Sequence, residues 1–220
     1  HGSPRKVGAT REDQMINKFI GVHGGIGMGK SCFANIAVKL FPDLNVRAVK
    51  FAKPVYDSLY AINPLIIFPD GTVERLQYLV ARVGWEKAKE VPEVRSLLQR
   101  VGTEGGRDIH GEYCWIKLFD DEVYTYVSTP SQELVIADDL RFLNEVQYIA
   151  DHDGITVKLF GPNRRSHLAS ALTHSSEERL PDKLFDYLIY NTGTLEQYQS
   201  AIKQIVSSPK PNSQVVFNWS

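Results

Sequence analysis

A glycine-rich loop between an apolar run and a helical pattern constrains this chain more than any other feature. Gly24, four residues and then Gly29-Lys30-Ser31 form the pattern GxxxxGKS. Glycine suits such a loop because the backbone amides must turn together toward one anion, and a Cβ would obstruct them. Lys30 would offer a charge to the β and γ phosphates of a nucleotide, Ser31 would offer a hydroxyl to Mg²⁺, and the helix start favours phosphate. The sequence therefore predicts a phosphate loop at residues 24–31.

The residues around this phosphate loop have the order that a nucleotide site requires. Phe19, Ile20 and Val22 predict a short buried strand upstream. Downstream, apolar residues at helical spacing predict a helix, which Phe41-Pro42 ends. The helical stripe consists of Cys32, Phe33, Ile36, Ala37 and Leu40. A glycine turn with a lysine beside it by chance is the alternative, and the strand-loop-helix order disfavours it.

The composition of the 220 residues limits the partners of the protein. Lys and Arg number 25 against 26 for Asp and Glu, and this net charge of -1 gives no general attraction to a nucleic acid polymer or an anionic membrane. Cys32 and Cys114 have neither metal-ligand spacing nor the density of a disulfide scaffold, which favours the reducing cytoplasm. No apolar run approaches the roughly 20 residues that span a bilayer, and no signal-peptide pattern precedes the first strand. A soluble cytoplasmic protein is therefore expected.

Strand patterns alternate with helix patterns along the chain, which predicts a three-layer α/β/α fold of the phosphate-loop NTPase type with a parallel sheet. We interpret residues 15–206 as one domain, with a helical insertion at about 54–130 and a polar lid at about 161–176. Within the insertion, residues 72–102 predict helices that break near Gly84 and Pro92. A further core-facing helix is predicted from Ile116, Phe119, Val123, Tyr126 and Val127. Residues 1–14 are interpreted as an added or disordered segment. The tail at 207–220 is interpreted as irregular, with the role of Val215 to Trp219 left open.

Charged residues at predicted loops and helix ends point to phosphoryl transfer. The arginines concerned are Arg95, Arg107, Arg141, Arg164 and Arg165. Transfer between two small molecules needs charge balanced from several sides while water is excluded, and such a scattered set supplies it. For each arginine alone, a solvated surface position is the alternative. Asp138-Asp139 follow a predicted buried strand, where a carboxylate can orient Mg²⁺ or hold a nearby arginine.

Several blocks of the sequence together resemble the bacteriophage deoxynucleoside monophosphate kinases, relatives of the cellular nucleoside monophosphate kinases. Besides the phosphate loop, they are Leu97-Leu98-Gln99 with Gly102-Thr103-Glu104 and Arg107, then Trp115, the run DLRFLNE at 139–145, His174 with Ser176-Glu177, and Tyr190-Asn191-Thr192-Gly193. Each block alone is weak, but their order and spacing from Phe19 to about Val206 are specific. The resemblance implies transfer of the γ-phosphate of ATP, with Mg²⁺, to a 2'-deoxynucleoside 5'-monophosphate (dNMP).

The resemblance also implies roles for individual residues. The expected ATP-binding set is Gly25, Gly27, Met28, Gly29, Lys30, Ser31, Cys32, Arg164, Arg165 and Asn191. The expected dNMP-binding set is Lys53, Tyr56, Asp57, Arg95, Gln99, Gly102, Thr103, Arg107, Trp115 and Arg141. Catalysis is assigned to Lys30, Arg107, Asp139 and Arg141, and metal binding to Ser31 and Asp139. No histidine is given a catalytic role, since the acceptor phosphate is already an anionic nucleophile.

Some alternatives stay open at the level of sequence. Trp115 could belong to the core instead of stacking on a base, and Asp139 could cap a helix while Asp138 serves the metal. The runner-up function is another small-molecule kinase such as a dephospho-coenzyme A kinase, and a further one is a non-catalytic nucleotide-binding module. The sequence leaves the preferred base, the choice of sugar and the oligomeric state open, although the resemblance suggests a homodimer.

Overall fold

The structure, a computed structural model, describes residues 19–25, 27–127, 133–161 and 180–219. The predictions for residues 1–14, for nearly all of the lid, and for Arg164, Arg165 and His174 lie outside these ranges. Among the helices in these ranges, none combines the length and apolar content that crossing a bilayer requires.

Strands and helices alternate outside the predicted insertion at about 54–130, as the sequence predicts. The strands are β1 (Phe19–His23), β2 (Asn45–Val49), β3 (Leu65–Ile67), β4 (Val73–Arg75), β5 (Glu133–Leu140), β6 (Ile155–Phe160), β7 (Tyr187–Tyr190) and β8 (Val215–Asn218). The helices are α1 (Lys30–Leu40), α2 (Lys53–Ile62), α3 (Leu76–Ala88), α4 (Pro92–Gly102), α5 (Asp108–His110), α6 (Cys114–Val127), α7 (Leu143–Asp151) and α8 (Leu195–Ser207). A π-helical turn (Thr103–Arg107) follows α4, and a 3-10 turn (Asp182–Leu184) precedes β7.

Six of these strands form one parallel sheet in the order β2-β5-β1-β6-β7-β8. The central strands are continuous apolar runs because helices cover both faces of the sheet. β1 pairs in parallel with both β5 and β6, so the carboxyl ends of β1 and β5 meet at the same edge. Open parallel sheets bind their ligands at this edge. The predicted parallel sheet is confirmed.

Helices on both faces of the sheet complete the three predicted layers. α1 and α8 pack on one face together with Ile20 and Val22 of β1. α6 and α7 pack on the other face with Phe19, where the rings of Phe51 and Phe119 stack with centroids 3.9 Å apart. Ile116, Phe119 and Val123 of α6 are buried, as predicted. The chain thus has the three-layer α/β/α architecture that the sequence predicts.

The insertion between β2 and α6 has a small core of its own, in which Leu59, Leu79 and Val94 are buried. The prediction of helices from residue 72 onward is wrong at its start, because residues 73–75 form β4. This strand pairs antiparallel with β3, whose run of Leu-Ile-Ile has the β-branched, apolar character of a strand. The predicted break near Gly84 is confirmed by its backbone angles of φ 75° and ψ 162°, and α4 begins at Pro92.

The tail is not irregular throughout, which corrects the sequence prediction. β8 adds a sixth strand to the sheet, parallel to β7, and the Phe217 ring stacks on Tyr187 with centroids 6.0 Å apart. Trp219 packs against the core on the same face as α1 and α8. A four-residue strand that follows two prolines gives little periodicity, so only its pairing with β7 reveals it.

Candidate active site

The phosphate loop depends on two glycines with left-handed backbone angles. Gly27 has φ 79° and Gly29 has φ 102°, values that residues with a Cβ rarely adopt. Gly29 also caps the start of α1, where the Phe33 amide donates to its carbonyl oxygen. A Cβ on Gly29 would lie only 2.9 Å from Nδ2 of Asn191. Both the angle and the close approach therefore require glycine at position 29.

Lys30 and Met28 fold back onto the backbone of the phosphate loop. Lys30 Nζ donates to the carbonyl oxygens of Gly24 at 2.5 Å and Gly25 at 2.8 Å. The Gly25 amide lies 3.1 Å from the Met28 thioether sulfur and donates to it. The Lys30 ammonium thus lies over the loop, where a phosphate would meet it. Ser31 and Cys32 are exposed in the first turn of α1.

Two side chains from the C-terminal part of the domain donate hydrogen bonds to backbone carbonyls of the phosphate loop. Asn191, directly after β7, donates through Nδ2 to the Met28 carbonyl at 3.2 Å. The Tyr198 hydroxyl on α8 donates to the Gly29 carbonyl at 3.1 Å, and burial raises the pKa of this phenol. Asn191 is one of the predicted ATP-binding residues, and it contacts the loop backbone. Tyr198 was not predicted as a site residue, because in sequence it belongs to the apolar stripe of a helix.

Asp138 and Asp139 lie at a register shift near the end of β5. Gly21 of β1 aligns with Ala137 and His23 with Leu140, so β5 carries one extra residue there. Such an irregularity re-aims side chains at the edge of a sheet. The two adjacent carboxylates consequently have different surroundings.

Asp139 binds backbone amides with both of its oxygens. Oδ1 accepts from the Phe51 amide at 2.8 Å and Oδ2 from the Ala52 amide at 3.1 Å. Burial raises the pKa of this carboxyl, and the two amide hydrogen bonds act in the opposite direction. Asp139 therefore holds the backbone just before α2. Metal binding by Asp139 stays a prediction.

Asp138 is 5% exposed, and its Oδ1 has no hydrogen-bond partner within the described ranges. Leu134 and Ile136 point into the cluster beneath α1, and Val135 and Ala137 into the opposite one. Alternation from Leu134 and Ile136 predicts the α1 face for Asp138, the face of the helix that begins at the phosphate loop. The pattern breaks before Leu140, which packs in the opposite cluster. Of the two carboxylates, Asp138 has the oxygen that a cation could use.

The Arg107 side chain and the Arg141 backbone amide both contact Glu145, at the start of α7. Arg107 Nη2 lies 3.4 Å from Glu145 Oε1, and its guanidinium lies 3.5 Å from the centre of the Phe142 ring. Glu145 Oε2 accepts from the amides of Arg141 at 2.7 Å and Phe142 at 3.1 Å. The Arg141 side chain itself is exposed. The structure thus brings together two of the predicted arginines, and it adds Glu145, to which the sequence analysis gave no role.

Glu145 is 4% exposed, and burial raises the pKa of its carboxyl to about 7. The amide hydrogen bonds and the positive charge of Arg107 favour the ionised form, but they do not offset the loss of hydration.

Trp115 holds the π-helical turn that carries Thr103 and Arg107. Its side chain is largely buried, and its Nε1 donates to the Gly102 carbonyl at 2.7 Å. A Cβ on Gly106 would lie 2.3 Å from the Trp115 ring, so only glycine allows the turn to approach it. This placement is the one that the core alternative describes. Stacking of Trp115 on a base stays a prediction.

The remaining predicted acceptor residues lie on the insertion. Arg95 and Gln99 are exposed one turn apart on α4, and Thr103, also exposed, is the first residue of the π-helical turn. On α2, Lys53 Nζ pairs with the Asp57 carboxylate at 2.6 Å. The half-buried Tyr56 ring packs edge-on against Trp85, with centroids 4.9 Å apart.

Comparisons with known proteins bear on these residues. The sequence model of a family described as deoxynucleotide monophosphate kinase matches residues 34–202, a stretch that begins just after the phosphate loop. A protein of Acanthamoeba polyphaga mimivirus, described as a deoxynucleotide monophosphate kinase, is 27% identical over 207 residues, which cover 86% of this chain and 96% of that protein.

A solved structure of a protein from Chloroflexus aurantiacus J-10-fl, described as a kinase, is 11% identical with a TM-score of 0.33. The match covers 67% of this chain and 62% of that one, less than two thirds of its length. A likeness this low carries no weight for fold or function.

Proposed function

The chain belongs to the deoxynucleotide monophosphate kinase family, and we propose that it transfers the γ-phosphate of ATP to a dNMP, releasing ADP and the deoxynucleoside diphosphate. One observation carries the proposal: the phosphate loop and Arg141 follow the ends of two neighbouring parallel strands, β1 and β5. His23 Nδ1, in the last residue of β1, lies 2.9 Å from the carbonyl oxygen of Leu140, the last residue of β5. Two elements suited to phosphate at one edge of a sheet are what a transfer between two nucleotides requires.

The donor side of the reaction is assigned to the phosphate loop. The residues proposed to hold ATP are Gly25, Gly27, Met28, Gly29, Lys30, Ser31, Cys32 and Asn191, with Arg164 and Arg165 beyond the described ranges. Backbone amides and the α1 dipole stabilise the phosphates, and Lys30 exchanges the loop carbonyls for phosphate oxygens. Asn191 keeps the loop in position through the Met28 carbonyl.

Ser31 and Asp138 are the residues that would hold Mg²⁺. The fit rests on the buried Asp138 Oδ1, because an unpartnered buried carboxylate oxygen costs free energy unless a cation neutralises it. The described ranges contain no group of three or more His, Cys, Asp or Glu side chains suited to a metal. Mg²⁺ needs none, since it keeps water and phosphate oxygens as ligands. When bound, the ion supplies positive charge to the β and γ phosphates.

The acceptor side is assigned to the arginines and the insertion. Arg107 and Arg141 bind the dNMP phosphate and balance charge on the transferred group, because guanidinium forks match phosphate oxygens. Arg95, Gln99 and Thr103 extend this surface along α4, and Tyr56 lies on the neighbouring α2. No general base is required, since the attacking phosphate oxygen is already anionic.

A steady-state panel with the full chain, ATP and Mg²⁺ tests the proposal. ADP release is measured with each dNMP, each NMP and dephospho-coenzyme A, and the products are identified by chromatography. We expect deoxynucleoside diphosphate with at least one dNMP and none with dephospho-coenzyme A. ATP binding without turnover of any acceptor would contradict the proposal and favour a nucleotide-binding module. Turnover of dephospho-coenzyme A alone would contradict the acceptor assignment.

A further inference from the structure

Glu145 is the one side chain in the described ranges that contacts both Arg107 and Arg141. It reaches Arg107 through an ion pair and Arg141 through the backbone amide. The same carboxylate accepts from the Phe142 amide, and the Phe142 ring covers the guanidinium of Arg107. One buried carboxylate therefore holds both the side chain of Arg107, on the π-helical turn, and the backbone of Arg141, directly after β5.

The start of α8 shows that a side chain can cap a helix in this way without carrying a charge. There Gln197, also the third residue of its helix, accepts from the Thr194 amide at 2.8 Å through Oε1, while its own amide donates to Thr194 Oγ1 at 3.3 Å. Glu145 makes the equivalent contact to the Phe142 amide with a carboxylate, in a position that is only 4% exposed. Burying a carboxylate costs free energy that a neutral amide would avoid. The negative charge of Glu145 provides one contact that a neutral glutamine could not, the ion pair with Arg107.

We propose that Glu145 is a positioning residue that orients Arg107 and Arg141 toward the phosphate of the acceptor nucleotide. The inference rests on the proposed function. A guanidinium has five N–H donors. Within the described residues, Glu145 accepts a hydrogen bond from one donor of Arg107, which leaves other donors for a phosphate. With the Phe142 ring against its face and Glu145 at its edge, Arg107 keeps one orientation and loses less freedom when the acceptor binds.

A positioning role predicts different effects on the binding of the dNMP and of ATP. Glu145 contacts nothing in the phosphate loop in the described ranges, so a change in its charge acts on the acceptor and leaves ATP binding alone. A merely structural role would instead lower stability and weaken both substrates together.

The test is Glu145→Gln in the full chain, because the Gln amide oxygen can still accept from the two backbone amides while the charge is lost. We expect KM for the dNMP to rise about 10- to 100-fold, the range for losing a hydrogen bond to a charged group. ATP affinity, measured by calorimetry, should stay close to wild type, and Tm should not fall, because the variant no longer buries a charge. Glu196→Gln is the matched control, since Glu196 is an exposed glutamate in the first turn of α8 and should change none of these values.

A double-mutant cycle with Arg107→Ala shows whether Glu145 acts through that arginine. We expect KM for the dNMP in the double variant to rise by less than the product of the two single effects, because without Arg107 the loss of the Glu145 charge can act only through Arg141. Unchanged KM in Glu145→Gln, an equal loss of ATP affinity, or fully additive effects would overturn the positioning role. If Glu145→Gln fails to fold, Arg107→Ala with an unchanged KM for the dNMP would overturn it as well. Absence of dNMP turnover in the wild type would overturn the proposed function itself, so the two failures are distinguishable.

Discussion

The ends of β1 and β5 lie side by side at one edge of the sheet, yet they are built in opposite ways. After β1, the phosphate loop is held by neutral groups: backbone carbonyls, the Met28 thioether, the Asn191 amide and the Tyr198 hydroxyl. Lys30 is its one charged side chain. At the end of β5 and the start of α7, three acidic side chains, Asp138, Asp139 and Glu145, lie within eight residues, and Asp138 and Glu145 are buried.

The difference shows two ways of preparing a site for phosphate. Amides and a helix dipole can bind an anion without any buried charge, so the loop depends on backbone shape and on glycine. Arginines are long and mobile, and the β5 side uses a carboxylate to hold one in place. The cost of burying carboxylates appears in the raised pKa values of Asp139 and Glu145. We therefore expect the loop to be sensitive to lost donors and the β5 side to be sensitive to lost charge.

The largest effect is expected on the loop side, from Lys30→Ala. Removing a charge that stabilises the transferred phosphate should lower kcat by about 100- to 1,000-fold, as the loss of one preorganised donor usually does. Lys30 is not buried, so Tm should change little. Steady-state kinetics and a thermal melt measure the two quantities. Lys39→Ala, an exposed lysine in the last turn of the same helix, is the control and should match the wild type. Equal kcat values for the two variants would contradict the assignment of Lys30.

A smaller effect should distinguish the two aspartates on the β5 side. Asp138→Asn should raise the half-saturating Mg²⁺ concentration about 10- to 100-fold, the range for losing a group around a bound metal, and should leave Tm unchanged or raise it. Asp139→Asn places an amide donor against a backbone N–H, so it should cost about 1–3 kcal/mol of stability with little change in the Mg²⁺ requirement. Activity titrated against Mg²⁺ and urea unfolding measure the two effects. A higher Mg²⁺ requirement in Asp139→Asn and a loss of stability in Asp138→Asn would instead assign the metal to Asp139.

The same contrast explains how much of the site the sequence could predict. The phosphate loop was recognisable because its geometry is local: Gly29, Lys30 and Ser31 are adjacent, and the strand and helix around them have clear periodicity. The order of elements likewise predicted the three-layer fold. The π-helical turn and the β3–β4 pair gave no such signal, since strands of three residues carry almost no periodicity.

The other parts depend on contacts between residues far apart in the chain. Tyr198 contacts a residue 169 positions away, and Arg107 is 38 positions from Glu145. A tyrosine in an apolar stripe and a glutamate at the start of a helix both have ordinary local explanations, so only the folded chain shows what they hold. Whether Asp138 or Asp139 faces the phosphate loop depends on one extra residue in β5, and a register shift of this kind leaves no mark on composition.

The smallest effect concerns stability, and it tests whether the β5 side does carry a buried, costly charge. The folded pKa of Glu145 is about 7 against an ordinary value of 4.5, so the folded protein binds the proton more tightly than the unfolded chain. Stability should therefore be highest at the acidic end of this range and should fall by roughly 3 kcal/mol at most as pH rises from about 4.5 to 7. Glu145→Gln cannot lose this proton, so its free energy of unfolding in urea should fall less over the same pH values. The raised pKa of Asp139 acts in the same direction and persists in the variant, so some slope should remain. The pKa of Glu196 is lowered by hydrogen bonds to its carboxylate, so the Glu196→Gln control should keep the fall in stability toward pH 7 that the wild type shows. A Glu145→Gln curve that falls as steeply as the control would mean that the carboxylate at α7 is no more costly than one in water.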